Sequence, residues 1–333
     1  MRAMVARKLG GTDGLELVKD HPLPMPRRGQ AIVALEAAAL NFPDILTLQG
    51  TYQHKQAPPY VPGMEGAGRV VAVGEGVPST LIGQAVMCGA RGTFAEQVAV
   101  AGEEIAIVPR GWTWGQAAAF PIIARTAYHA LVHRARLQTG ETLVVHGAAG
   151  GTGHMAVKLG KALGARVIVT ASAPERRAAI AAMGANVIID SGATDLAEQL
   201  KAAAGGQGPD VVFDPVGGAV FEASLKAAAF GARILVIGFT AGAPNSVRTN
   251  YALIKGLSIL GVRAGEAARK TPHIAADYTT ELPRLAAAHD LRPHIGETHP
   301  LSGAGTALDR LAARTVVGKI VLDIHGRAAQ RVA

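Results

Sequence analysis

The sequence predicts an α/β protein of two domains: a doubly wound parallel sheet and a smaller, strand-rich, barrel-like domain. Three observations lead there. Residues 143–169 read as a buried strand, a glycine turn, an amphipathic helix and a second buried strand, which is a βαβ unit. From that unit to residue 262, short apolar runs alternate with helical patterns. Before residue 122 the apolar runs are instead separated by Pro- and Gly-bearing turns, the punctuation of antiparallel β structure.

The elements follow in order. Strands are expected at 1–6, 30–37, 67–73, 83–88 and 93–100, between turns such as Gly10-Gly11, Pro62-Gly63 and Gly74-Glu-Gly76. Residues 114–133 are Ala-rich and helical in pattern, with Pro121 forcing a break. The strand at 143–145 leads through the glycines to a helix at 155–163, closed by Gly164, and to a strand at 167–169. Helices at 175–183, 195–204 and 221–230 then alternate with strands at 187–190, 210–214, 233–238 and 257–262. Helices fill the region after residue 272, and a final strand at 318–323 is expected to return to the first domain. The domain boundaries are therefore 1–122, completed by 264–333, and 123–263.

Composition narrows the function. A chain of 333 residues exceeds one core, and 49% hydrophobic content with 41 glycines suits an α/β enzyme and excludes a disordered chain. Cys88 is the only cysteine, so no intramolecular disulfide or cysteine metal cluster is available. The start, MRAMVARKLGGTDG, has no apolar core of a signal peptide, and no apolar run reaches membrane-spanning length; the expectation is a cytoplasmic protein. The net charge of +8 is scattered among acidic residues without a basic, aromatic-interleaved patch, which argues against nucleic acid as a partner.

The glycine turn has a chemical reading. At Gly150 a Cβ would keep the backbone from a pyrophosphate, and Gly153 lets the helix pack on the strand. The helix N-terminus then presents free N–H groups and partial positive charge to the anion. Ala149, Gly150, Gly151, Thr152 and Gly153 form the candidate dinucleotide site, with Ala148 in place of the first fingerprint glycine. After the second strand, Thr170-Ala171-Ser172 offers no carboxylate to hold a ribose 2′-OH, while Ser172, Arg176 and Arg177 suit a 2′-phosphate. The same arginines would also serve as a solvated first helical turn. NADPH is the expected cofactor.

Several motifs then occur together: Asn41-Phe-Pro-Asp44, Pro62-Gly-Met-Glu-Gly-Ala-Gly68, Ala118-Ala-Phe-Pro121, Thr126-Ala-Tyr-His129, Asp214-Pro-Val-Gly-Gly218 and Gly318-Lys-Ile-Val321. With the glycine turn, they make the chain resemble a zinc-free quinone oxidoreductase of the medium-chain dehydrogenase/reductase superfamily, over residues 1–324. The resemblance implies a GroES-like β-barrel-type catalytic domain, a Rossmann domain, and a homodimer. Zinc-dependent relatives place a His before the Glu of Gly63-Met64-Glu65 and a Cys in the segment of residues 41–44; this chain has Met64 and no thiolate there, so no metal is expected.

Quinone or enone reduction builds negative charge on a conjugated oxygen, which needs a hydrogen-bond donor and later a proton. The resemblance places Asn41, Asp44 and Tyr52 on a loop at the interdomain cleft. Gln49-Gly-Thr-Tyr52 matches the motif that carries the catalytic tyrosine of enoyl thioester reductases, so the catalytic candidates are Tyr52, Asn41 and Asp44. Asn41 is expected to contact nicotinamide or substrate, and Asp44 to orient the loop. By position, Thr126, Phe239, Val262 and Lys319 join the cofactor contacts. Arg176 stands where NADPH-binding relatives have a Lys, and Ser191 where they have a Tyr. The expected activity is reduction of quinones or α,β-unsaturated carbonyls. The alternatives are an enoyl thioester reductase and a non-catalytic NADPH-binding regulatory protein.

Overall fold

A computed structural model describes residues 1–181 and 184–332. Two compact units divide the chain, one from Met1–Ile122 with the segment from Arg292 onward, the other Ile123–Leu291. The return to the first unit thus begins at Arg292 rather than at 264, because the two helices that follow residue 263 pack with each other inside the second unit.

In the first unit the strands are β1 (Ala3–Ala6), β2 (Leu15–Val18), β3 (Gln30–Ala39), β4 (Glu65–Val73), β5 (Ala85–Gly89), β6 (Gln97–Ala101) and β7 (Ile105–Ile107). Helix α1 (Phe42–Leu48) follows β3, where the sequence suggested a loop. Its cause is local: Pro43 tolerates the first turn, and Asp44 Oδ2 accepts the Asn41 N–H at 2.7 Å, satisfying an end donor. Trp114–Ala118 forms α2, and Pro121 heads α3 (Pro121–Tyr128), so the expected break falls at the proline. A π-helical turn, His129–Arg134, continues α3.

The second unit carries β8 (Thr142–Val145), α4 (Gly151–Ala162), β9 (Arg166–Ala171), α5 (Pro174–Ala181), β10 (Val187–Asp190), α6 (Leu196–Ala203), β11 (Val211–Asp214), α7 (Ala219–Ala227), β12 (Arg233–Val236), α8 (Thr249–Lys255) and β13 (Ser258–Gly261). Residues 182 and 183 of the expected helix 175–183 lie outside the described residues. Helices α9 (Ala264–Lys270) and α10 (Pro272–Ala288) complete the unit. All strand pairs are parallel, in the order β10-β9-β8-β11-β12-β13. That order reverses between β8 and β11, the switch point at which ligands of doubly wound sheets bind. The core strands are apolar throughout because helices cover both faces; Val144, Ile168, Val212 and Ile234 are fully buried.

The return segment holds β14 (Ile295–Pro300), α11 (Ala304–Ala312) and β15 (Lys319–Asp323). The sheet runs β14-β15-β3-β4-β5-β7, with β6 also on β3. Ile320 and Leu322 of β15 bury among Leu35, Leu40 and Phe94, so a strand remote in sequence completes the first unit's core.

Candidate functional site

In the second unit the site is built on the switch point. Strand β8 is buried throughout and is followed directly by His146, which is also fully buried. His146 Nδ1 lies 2.8 Å from Thr170 Oγ1, and Nε2 lies 2.7 Å from Ser224 Oγ. Ser224 gives its hydroxyl proton to Val220 O at 2.8 Å, so Nε2 must donate and Nδ1 must accept from Thr170. Burial pushes the imidazole down, in keeping with this neutral tautomer. The ring thereby ties β8 to β9 and α7 directly beneath the glycine turn.

The turn's left-handed residue is Gly147, at φ 59°, one position before Ala148. This explains how the chain dispenses with the first fingerprint glycine: the strained conformation has moved to a neighbouring glycine. A Cβ on Gly153 would stand 2.3 Å from Gly147 O and 2.9 Å from Ala148 Cα, so only glycine lets α4 start against the turn. At Gly150 the nearest atom to such a Cβ is Gly147 O at 3.4 Å, and the residue is exposed. Protein packing therefore does not demand glycine there, and its absent side chain leaves the backbone open to close approach. On the other side of the switch point, Asp214 Oδ1 accepts the N–H groups of Val216 and Gly217 at 2.7 and 2.9 Å, shaping the loop against Gly147.

The remaining second-unit candidates follow the carboxyl ends of strands: Ser172, Arg176 and Arg177 after β9, Ser191 after β10, Phe239 after β12 and Val262 after β13. Ser172 and Phe239 are exposed, while Val262 is buried and Thr126 on α3 is half-buried. Arg177 also has partners within the protein. Its Nη1 pairs with Asp190 Oδ2 at 2.9 Å and donates to Ala171 O and Ser172 O, because β10 ends in a carboxylate beside the β9 terminus. The guanidinium braces two strand ends. The Gly192 N–H and Arg177 hold the Asp190 carboxyl below its usual range.

In the first unit Asn41, Asp44 and Lys319 come together around a residue the sequence reading did not select, Glu65. Glu65 is 0% and Lys319 4% exposed. The ammonium of Lys319 donates to Leu40 O, to Asn41 Oδ1 at 2.7 Å and to Glu65 Oε1 at 2.9 Å. Asn41 Nδ2 donates to the same Glu65 oxygen at 2.9 Å, and the Ile122 N–H to Glu65 Oε2 at 2.8 Å. With three acceptors around one ammonium and both ends of one amide engaged, Lys319 and Asn41 hold each other and Glu65 in place. Asp44 caps α1, and burial pushes its carboxyl up to about 7.

Tyr52 stands apart from that network, half-buried beyond the end of α1, its ring edge-on to His54 at 5.9 Å. Its backbone N–H is fixed to Leu46 O. Among the described residues no three His, Cys, Asp or Glu side chains gather as a metal site. Glu65 had one usable signal in the sequence: a carboxylate inside an apolar, glycine-rich strand must find a buried cation.

A nucleotide-binding parallel sheet joined to a strand-rich unit defines a two-domain dehydrogenase/reductase. Comparisons agree. Residues 27–116 match the alcohol dehydrogenase GroES-like domain, and residues 151–281 match the family described as zinc-binding dehydrogenase. Pig (Sus scrofa) quinone oxidoreductase is 30% identical, with 97% of each chain covered. The quinone oxidoreductase of Thermus thermophilus, solved also with NADPH, is 33% identical at a TM-score of 0.81, covering 97% of this chain and 100% of that one. Phthioceranic/hydroxyphthioceranic acid synthase of Mycobacterium tuberculosis is 33% identical over 96% of this chain, which spans 15% of that protein. The chain belongs to the zinc-free quinone oxidoreductase family of the medium-chain dehydrogenase/reductase superfamily.

Proposed function

We propose that the protein is an NADPH-dependent, zinc-independent reductase of quinones or α,β-unsaturated carbonyls. The observation that carries the reading is the turn before α4, where packing requires glycine at Gly153 but not at Gly150, which leaves that backbone open to a ligand. The residues fit the cofactor: Ala149, Gly150, Gly151, Thr152 and Gly153 cradle the pyrophosphate. Arg176 and Ser172 hold the 2′-phosphate beside Arg177, with Ser191 nearby, while Thr126, Phe239 and Val262 flank the nicotinamide end. NADPH, when bound, supplies the hydride, and the chain must supply the proton. The Tyr52 hydroxyl donates to the substrate oxygen as charge builds there and passes it a proton, giving the hydroquinone, or an enol that tautomerises to the saturated carbonyl by proton exchange with water.

A second reading, enoyl thioester reduction, is favoured by the near-full-length match to a segment of the mycobacterial synthase together with Gln49-Gly-Thr-Tyr52. For assembly we propose a homodimer through the edge strand β13. Beside that edge Phe230 and Leu253 are each 84% exposed, and Ile254 and Ile259 add apolar surface.

The test is oxidation of NADPH and NADH against 1,4-benzoquinone, 9,10-phenanthrenequinone, an enone and crotonyl-CoA. Quinone or enone turnover with NADPH preferred is expected. Tyr52→Phe should lower kcat by about 10²-fold or more, and Arg176→Ala should raise KM for NADPH by about 10-fold while sparing NADH. Turnover of the thioester alone promotes the second reading. NADPH binding without turnover of any substrate leaves the non-catalytic reading.

A further inference from the structure

Away from the glycine turn, the second unit has a groove of about 570 Å³ between the π-helical turn, the end of β13 and helices α9 and α10. Its lining is basic. Arg134, Arg136, Arg263 and Lys270 stand around it, and Glu266 is the only carboxylate among the lining residues. Glu266 is already shared among Arg263, Arg269 and Lys270, which hold its carboxyl below the usual range. The four lining cations come from three separate segments, so the fold concentrates the charge and no single run of sequence does.

The floor points the same way. His129 lines the groove at 4% exposure, and its buried Nδ1 has no hydrogen-bond partner in the protein. His133 Nε2 is likewise unsatisfied, its closest acid being Asp277 Oδ2 at 3.5 Å, with His273 also lining the groove. Burial, followed by His133 and Arg134, pushes His129 down to about 4. A buried ring nitrogen left unbonded costs free energy that an incoming oxygen recovers. His129 and His133, four residues apart on one helical face, hold their rings 5.6 Å from each other within the π-helical turn, in which the Ala135 N–H bonds Ala130 O. Arg134 is held in place by its Nε–H to Gly261 O at 3.0 Å.

We propose that this groove is a second anion site, distinct from the dinucleotide site, for a small polyanion with the chemistry of a pyrophosphate or a phosphate ester. Four cations exceed what one carboxylate can neutralise, and guanidinium forks match phosphate oxygens. A histidine ring nitrogen accepts a P–OH or donates N–H to the bound group.

Inorganic pyrophosphate is the probe, titrated calorimetrically into the full chain saturated with NADPH. One equivalent should bind, and Arg136→Gln with Lys270→Gln should weaken it by about 10-fold or more. Both side chains are exposed, so the fold should survive, which circular dichroism checks; Lys19→Gln, an equal charge loss elsewhere, should change nothing. His129→Gln should weaken binding without altering the KM for NADPH. Displacement of pyrophosphate by NADPH, equal weakening by Lys19→Gln, or indifference to the groove substitutions would overturn the proposal.

Discussion

Lys319 and Glu65 form a buried ion pair whose remaining polar atoms are satisfied by Leu40 O, Asn41 and the Ile122 N–H. Removing one partner strands the other, so Glu65→Leu should cost about 3–5 kcal/mol in urea unfolding, and adding Lys319→Met should recover most of it. A double variant as unstable as the single one would refute the pairing account. Asp44 gives a pH signature. Its folded pKa, raised from 3.8 to about 7, means that the folded state binds the proton more tightly than the unfolded state. The stability it contributes is present below about pH 4 and is lost as pH rises to about 7, at roughly 1.4 kcal/mol per unit inside that window. Melting temperatures from pH 5 to 8 should therefore fall more steeply for the wild type than for Asp44→Asn. Asn41 and Asp44 were legible in the sequence as candidates on one loop, and Lys319 as a separate candidate near the C-terminus. Their shared network with Glu65 was not, because Glu65 and Lys319 are 254 residues apart and only the sheet brings them within 2.9 Å.

At the scale of elements, the turn before α4 was legible because its demands are local: an apolar strand, glycines at fixed offsets and an amphipathic helix. Gly153→Ala would push a methyl into Gly147 O at 2.3 Å, so the variant should lose NADPH affinity and melt lower, whereas Gly150→Ala should lose affinity with little change in melting. Equal destabilisation by both would contradict the division of labour between them. Arg177 shows the converse. Nothing near it in sequence announces Asp190, which reaches it because β10 lies beside β9 in register, Asp190 opposite Ala171. Helix α1 was read as loop because seven residues carry little periodicity; its capping by Asp44 decided the matter.

For the whole molecule, the apolar residues flanking β13 make a mass measurement informative. Light scattering should give twice the 34.1 kDa of one chain, and Leu253→Lys with Ile259→Lys should return it to the monomer. A monomeric wild type would remove the dimer proposal. No helix among the described residues is long and apolar enough to cross a membrane. The sequence alone determined the order of elements, the doubly wound sheet and the nucleotide turn, since hydrophobic period, glycine placement and proline breaks act over a few residues. The tertiary structure alone decided what the charged residues do. It paired Lys319 with Glu65, tied Arg177 to Asp190 and gathered the basic groove, because burial and long-range partners set the energy of a charge, and neither is written in its neighbours along the chain.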